Sequence, residues 1–404
     1  MEKFKKNNLI VIYLIAISAI AVACGFSDSL LSNYFNDAYG INAAQRGFLE
    51  LPREFPGVIS LFMIAAIARL GDIKIAVVSQ AMCFIGIMLL ANTTPSFYVM
   101  SILLFVFSIG IHIYLPIQDS LAMSIIPAKT IGKGMGQVKG VYLFFSLLAS
   151  VFAFLGFRFG ILDFTTDGKQ PAFFIAGVFF LISVIFLFML SKIAKSQSRP
   201  IVKTKLIFRK KYIYYYILSI MNGVQKQIIF VYGPWVLIEI LGQGADTISL
   251  LLIISSLFGI FFLPFLGRCI DKFGIRTMLY VDALSFIGVY LAYAFMTYNF
   301  TNGTFKAGGI ALITIFAVYI CDKLSTQMSI IRSVYLHSIT EDKAEILPTM
   351  SLGVSLDHIV SIIGAYLSGL VWMYIGPHYI FLIAASFSLI NLAIAKIVPL
   401  KEEK

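Results

Sequence analysis

The sequence predicts an all-α polytopic membrane protein. Three observations carry that class. The first is composition: 59% of the 404 residues are hydrophobic, 13% are charged, and mean hydropathy is +0.92. A soluble globular domain holds about 25% charged residues, so no large soluble domain fits in this chain. The second is length. Hydropathy divides the chain into twelve apolar runs, at about 9–34, 45–69, 74–92, 97–125, 137–161, 171–191, 212–240, 247–266, 277–298, 307–335, 347–374 and 378–398, each near the roughly 20 residues that cross a bilayer as a helix. The third is charge placement. Basic residues cluster in alternate connections, as the positive-inside rule requires.

That alternation sets the topology. The connection 192–211 holds Lys192, Lys195, Arg199, Lys203, Lys205, Arg209, Lys210 and Lys211. Lys3, Lys5 and Lys6 at one end, and Lys401 and Lys404 at the other, fall on the same side. Both termini and this linker are therefore expected in the cytoplasm, in a chain of the cytoplasmic (inner) membrane. The linker reads as a solvated joint that could also meet anionic lipid. The net charge of +11 follows from these connections, so nucleic acid is not expected as a partner. Cys24, Cys83, Cys269 and Cys321 have neither disulfide nor metal spacing. Ala21-Val22-Ala23-Cys24 faintly resembles a lipoprotein cleavage box, but the apolar pattern continues through Leu31, which reads as a first span.

Internal repetition supports two halves. Residues 119–140 align without a gap on 332–353, keeping Ser120 with Ser333 and the closing Gly140 with Gly353. The expected organisation is a six-helix bundle over 1–191, the linker 192–211 and a second bundle over 212–404.

One short connection carries a motif. Gly267-Arg268-Cys269-Ile270-Asp271-Lys272-Phe273-Gly274-Ile275-Arg276 lies between the eighth and ninth runs. Gly267 would let two helices approach, and Gly274 permits a turn with positive φ. Asp271 is placed to meet a neighbouring helix N-terminus. The pattern G-x-x-x-D-K-F-G-x-R, with Gly267, Asp271, Lys272, Gly274 and Arg276, resembles the signature loop of the major facilitator superfamily (MFS) in its second-half copy. The first-half copy, Ala68-Arg69-Leu70-Gly71-Asp72-Ile73-Lys74, keeps the basic residue and the glycine but lacks the family aspartate at its usual place. Asp72 is the candidate substitute. The resemblance covers the whole chain and implies the MFS fold: twelve transmembrane helices in two pseudo-symmetric six-helix bundles. It also implies that spans 1, 4, 7 and 10 line a central cavity that opens to each side in turn.

Ionisable groups at membrane depth cost roughly 2.5–3.5 kcal/mol on insertion scales, so each is a functional candidate. Span 1 carries Asp28. Span 2 carries Arg46, Glu50, Arg53 and Glu54, whose i,i+3 and i,i+4 spacings make one stripe. Asp28 and Arg53 lie at similar depth, so either they pair or Asp28, Glu50, Arg53 and Glu54 belong to a proton site. Span 4 carries His112, Tyr114, Gln118 and Asp119. Asp119 aligns with Arg332 in the repeat, which suggests a salt bridge closing the cytoplasmic side. Span 7 carries Asn222, Gln225 and Lys226 near mid-membrane, where Lys226 needs a carboxylate or an anionic ligand. Span 10 carries Asp322, Lys323 and Gln327, with Asp322 a second proton candidate. Asp357 and His358 in span 11 read as packing or pairing residues. Two lysines, Lys226 and Lys323, against Asp322 leave a slightly positive centre. That favours a solute with an anionic group.

No G-x-x-x-x-G-K-[ST], G-x-S-x-G or H-E-x-x-H is present, so neither an enzyme nor a cofactor or metal is expected. The expected function is a monomeric secondary transporter of a small organic solute, by symport or antiport, with H+ as the candidate coupling ion. An exporter of amphiphilic or cationic compounds is the alternative, although 138–161 lacks the G-P-x-x-G-G pattern of many proton-coupled drug exporters. A receptor would carry a signalling extension, and the tails here are only 1–8 and 400–404.

Overall fold

The computed structural model describes residues 2–126, 131–166, 168–193, 208–340, 342 and 345–399. Among these, all regular structure is helical. Backbone groups in a bilayer find no water, and a helix satisfies them within the segment. Among the described residues, nine helices are long and apolar enough to cross a membrane. One of them, α10 (Ala245–Thr301), is two arms joined at Gly274, whose φ of 78° and ψ of 162° break the helical path. The 18-residue α4 (Glu50–Ile67) and the 23-residue α9 (Ile213–Trp235) lie outside the nine. They carry Glu50, Arg53, Glu54 and Lys226, charges that the sequence places at membrane depth.

The chain forms two compact units. Unit 1 comprises Met1–Gly40, Phe55–Lys203 and Gly244–Leu250. Its α1 (Glu2–Phe26) packs on α7 (Ile131–Arg158) and α8 (Pro171–Ile193), while α5 (Asp72–Asn92) packs on α6 (Phe97–Ile125) and α8. Gly86 makes the α5–α6 approach possible, since a Cβ there would lie 2.7 Å from the Phe107 nitrogen. The unit's core runs from Tyr13 and Ile17 through Ile113 and Leu121 to Leu187 and Leu190.

Unit 2 comprises Ile41–Glu54, Thr204–Gln243 and Leu251–Lys404. Here α9 packs on α13 (Ile346–Tyr374) and α14 (Pro377–Ile397). The short α3 (Ala43–Phe48) also lies on α13. It starts in a capping box, with Asn42 accepting from the Gln45 N–H and Gln45 from the Asn42 N–H. A Cβ on Gly47 would sit 2.5 Å from the Ala365 carbonyl oxygen, so only glycine allows this contact. A tyrosine-rich core, Tyr212, Tyr216 and Tyr335 with Leu266, Ile331 and Ile394, fills the other end. Span 10 of the sequence is interrupted, as α11 (Gly309–Gln327) and α12 (Ile330–Ile339).

The two signature-type loops share one backbone feature. Gly71 in unit 1 has φ 77° and ψ 153°, close to the values at Gly274 in unit 2. Each glycine follows a basic residue by two positions, Arg69 and Lys272. Asp72 opens α5, where its carboxylate complements the helix N-terminus. In the second loop Asp271 and Lys272 are exposed, and Arg276 Nη2 donates to the Val398 carbonyl at 2.9 Å, at the C-terminal end of α14. Close packing does not explain Gly267, since a Cβ there would meet nothing within 4 Å.

Candidate functional site

Unit 2 gathers most of the intramembrane charges into one network. Its centre is Glu50, which is fully buried. Arg46 and Arg53 reach Glu50 from one and the other side along the same stripe. Arg46 Nη1 lies 2.5 Å from Oε1, and Arg53 Nη1 lies 3.0 Å from both oxygens. Gln227 of α9 donates Nε2–H to Glu50 Oε2 at 2.5 Å. One turn on, Glu54 Oε1 is 3.8 Å from Arg53 Nη2, and Glu54 Oε2 is 2.7 Å from His358 Nδ1 of α13. The Arg53 guanidinium lies 4.7 Å above the Phe230 ring. Buried charges are tolerable when each is paired and hydrogen-bonded, and this stripe meets that condition.

The second part of the network joins α9 to α13. Lys226 forms an ion pair with Asp357, whose other oxygen accepts from Asn222 Nδ2 at 3.1 Å. Gly223 makes the helix contact possible, since a Cβ there would lie 2.5 Å from the Asp357 carbonyl oxygen. Lys226 keeps 33% side-chain exposure, against 19% for Lys323, 12% for Arg53 and 1% for Arg46. It is the most exposed of these four cations.

The third part is on α11. Asp322 is fully buried and Lys323 Nζ lies 3.5 Å from its Oδ2. Neighbours on a helix point about 100° apart, yet the long lysine side chain folds back to the adjacent carboxylate. The same ammonium lies 4.8 Å over the Tyr319 ring and 5.8 Å over Phe230, so Phe230 has Arg53 and Lys323 as cationic neighbours. Gln327 rests against Gly259, with its Oε1 buried and lacking a hydrogen bond.

These pairings correct the charge count made from the sequence. Arg46, Arg53, Lys226 and Lys323 face Glu50, Glu54, Asp357 and Asp322, so these four cations meet four carboxylates. The positive centre came from leaving out Asp357. Gln225 also departs from expectation. It is buried against α14, donating to Ser388 Oγ at 2.5 Å and accepting from Asn391 Nδ2 at 3.0 Å. Arg332 lies in the field of Asp282 and Asp357. The side chain of its expected partner Asp119 lies outside the described residues.

Unit 1 holds the remaining candidates. A cavity of about 460 Å³ opens between α1, α6 and α7, with Asp28, Tyr114 and Gln118 on its wall. Tyr13 and Tyr142 add two aromatic faces, and Lys139 adds a cation. Tyr13 donates its hydroxyl to the Gln118 carbonyl at 2.8 Å. His112 is half-buried, with Nδ1 3.0 Å from both the hydroxyl and the carbonyl of Ser108.

Sequence reasoning passed over Asp282 and Lys139. Asp282 is 2% exposed and its Oδ1 has no hydrogen-bond partner. The signal was available, since an acid in the middle of span 9 meets the same depth criterion as the others. Span 9 is not one of the four spans that the family resemblance assigns to the cavity. Phe230 could not be singled out among 37 phenylalanines.

A model of the Major Facilitator Superfamily matches residues 13–344. No curated protein sequence matches the chain. Among solved structures, the nucleoside transporter NupG aligns over 96% of this chain and 98% of its own, with a TM-score of 0.76 and 16% identity. A D-xylose-proton symporter aligns over 100% of both chains, with a TM-score of 0.72 and 16% identity. A POT family transporter in complex with 5-aminolevulinic acid aligns over 97% of both, with a TM-score of 0.74 and 13% identity. At these identities the likeness is one of fold. The chain belongs to the Major Facilitator Superfamily, and is a multi-pass membrane transporter of small solutes.

Proposed function

We propose that this transporter moves a small organic solute bearing an anionic group by alternating access, with H+ as the coupling ion. The observation that carries the reading is Lys226. It is a mid-span cation, one-third exposed and held by the single carboxylate Asp357. A solute carboxylate or phosphate can take the place of Asp357 at this ammonium, and Asp357 then turns to Asn222, whose amide already donates to it, and to the field of Arg332. Buried unpaired charge is the costly alternative. The other cations of the network, Arg46, Arg53 and Lys323, are more deeply buried beside their carboxylates.

The proton enters the reading through Glu54. This carboxylate links Arg53 on α4 to His358 on α13. Protonating it removes the negative charge that both partners face. Asp28 and Asp322 are the other candidates, Asp28 on the cavity wall of unit 1 and Asp322 beside Lys323. In this reading both termini lie in the cytoplasm with the basic connections, and the protein sits in the cytoplasmic membrane. The sequence halves 1–191 and 212–404 are the two moving bodies of this reading. The D-xylose-proton symporter offers a precedent for proton coupling on this fold.

The test is solute binding and uptake. Organic anions should raise the melting temperature of the purified protein by mass action. Lys226→Gln should remove the shift, and Asp357→Asn, which frees the ammonium, should enlarge it. An anion-induced shift that is unchanged in Lys226→Gln sinks the anionic reading. Uptake into liposomes should rise with an imposed pH gradient, and equal rates with and without the gradient remove coupling.

A second reading rests on the unit 1 cavity, where Tyr13, Tyr114 and Tyr142 stand with one carboxylate, Asp28, and one cation, Lys139. Aromatic faces beside an acid suit a lipophilic cation. Shifts with lipophilic cations alone, lost in Asp28→Asn and indifferent to Lys226, would favour an exporter.

A further inference from the structure

A groove of about 780 Å³ runs along unit 2, between the two arms of α10 and the helix α11. It shares no residue with the ion-pair network. Its wall includes Phe265, Phe273, Leu284, Cys321 and Met328, and none of its lining residues is charged. The volume lies in the range of small-molecule sites, roughly 300–1,000 Å³. Phe265 and Leu284 are each 55% exposed, so the groove is open on a surface that faces hydrocarbon in a bilayer. The lining includes Gly288, where a Cβ would meet nothing within 4 Å. That free space lies inside the groove. The polar groups present make little demand on a ligand. Ser285, for example, already donates to the Asp282 carbonyl at 2.8 Å.

One end of the groove carries charge. Arg268, Lys272 and Arg276 flank the lining residues Cys269, Phe273 and Thr277, against the single acid Asp271. Lys272 Nζ lies 5.2 Å over the Phe273 ring, which places this ammonium at the mouth. Arg276 is engaged by the Val398 carbonyl, and Arg268 contacts the Pro264 carbonyl of its own helix at 3.4 Å. Arg268 and Lys272 are both exposed. An apolar slot with two exposed cations at its mouth matches an amphiphile with a long apolar tail and an anionic head.

We propose that this groove holds one acyl chain of an anionic phospholipid, with the phosphate of the headgroup resting on Lys272 and Arg268. The bilayer supplies the lipid at high local concentration, and the cationic mouth selects the head. A basic residue near an anionic lipid surface is worth about 1 kcal/mol, or about a factor of five. The two arms of α10 and α11 form the walls, so an occupied groove would brace the turn at Gly274.

Native mass spectrometry tests the proposal. The purified transporter is titrated with phosphatidylglycerol or with phosphatidylcholine of the same chains. The parent should retain one phosphatidylglycerol in preference to phosphatidylcholine. The Arg268→Gln/Lys272→Gln variant should lose most of that preference, by about fivefold for each charge removed. Gly288→Trp, which fills the slot, should lose retention of both lipids. Equal retention of the two lipids by the parent overturns the headgroup assignment, and parent-like retention by Gly288→Trp overturns the groove. Should the tryptophan variant misfold, the native thiol Cys321, which is exposed and lines the groove, gives a second readout in the parent. Phosphatidylglycerol should slow its alkylation at least fivefold relative to phosphatidylcholine. No protection overturns the proposal, and so does protection that rises with protein concentration in place of lipid, since the occupant is then a second copy.

Discussion

Replacing Glu50 by leucine is the sharpest perturbation of unit 2. The carboxylate is fully buried and collects Arg46 at 2.5 Å, Arg53 at 3.0 Å and Gln227 at 2.5 Å. Glu50→Leu keeps the bulk and removes every acceptor. Arg46, at 1% side-chain exposure, is then left charged in a dry site. Removing one partner of a buried ion pair costs about 3–5 kcal/mol, chiefly through the charge left behind. With an unfolding entropy of about 2.1 cal/mol/K per residue over 404 residues, that loss lowers the melting temperature by about 4–6 °C if the chain melts as one. The assay is thermal unfolding in detergent, followed by intrinsic tyrosine and tryptophan fluorescence. The double variant Arg46→Met/Glu50→Leu removes both charges of the pair. It should recover part of the loss, with a coupling of about 1–3 kcal/mol from the double-mutant cycle. A melting temperature within about 1 °C of the parent for Glu50→Leu would refute the network as a structural element. Additivity in the cycle would refute the pairing itself.

Three further outcomes follow from the same geometry. Gly47→Val places a side chain against the Ala365 carbonyl, 2.5 Å from the position of its Cβ; overpacking of this kind costs about 1–3 kcal/mol, readable as a lower melting temperature. Lys323→Gln leaves the buried carboxylate of Asp322 without its ammonium at 3.5 Å. It should destabilise the protein by several kcal/mol, about 3–5, and Asp322→Asn in the same chain should return part of that. At the start of α13, Glu345 accepts from Tyr212 Oη at 2.5 Å and faces Lys211 at 2.7 Å and Arg209 at 2.8 Å. The hydrogen bonds from Lys211 and Tyr212 hold its carboxyl below the usual range, and the bond to Glu345 holds the Lys211 ammonium above its own. The carboxyl's contribution is complete above an unfolded value of about 4.3 and is lost as pH falls through the lower folded value. The lysine's is complete below about 10.4 and is lost as pH rises through the higher one. Melting temperature against pH should therefore fall off on both sides of that window. Glu345→Gln should flatten both limbs, and unchanged limbs would show that this cluster contributes nothing.

What the sequence discloses about this molecule divides by range of interaction. Helices were legible because a membrane span is a local requirement: a long apolar run with its backbone bonds internal. Gly274 was legible because a break in helical path needs positive φ, and a glycine between two such runs supplies it. Within span 2 the Arg46–Glu50–Arg53 stripe was legible because i,i+3 and i,i+4 neighbours meet on any helix. Contacts between helices were not. Gln225 and Gln227 stand two positions apart, about 200° around α9, and their surroundings are unrelated: Ser388 and Asn391 for one, Glu50 for the other. In a helix apolar on all sides, hydrophobic periodicity carries no information on which direction is inward. The partner of Lys226 was hidden for that reason. Asp357 is visible in the sequence as a packing or pairing residue, but only the packing of α9 on α13 at Gly223 brings it to this lysine. The consequence reaches function. A count of charges per span makes the centre positive, whereas pairing across spans makes it balanced, and the proposed preference for an anionic solute then rests on exchange at Lys226 and not on excess charge. An anion that binds by exchange must release Asp357 toward Asn222 or Arg332. Asn222→Ala should therefore weaken anion binding even though Asn222 carries no charge. Equal affinity in Asn222→Ala and the parent would mean that the anion does not displace Asp357.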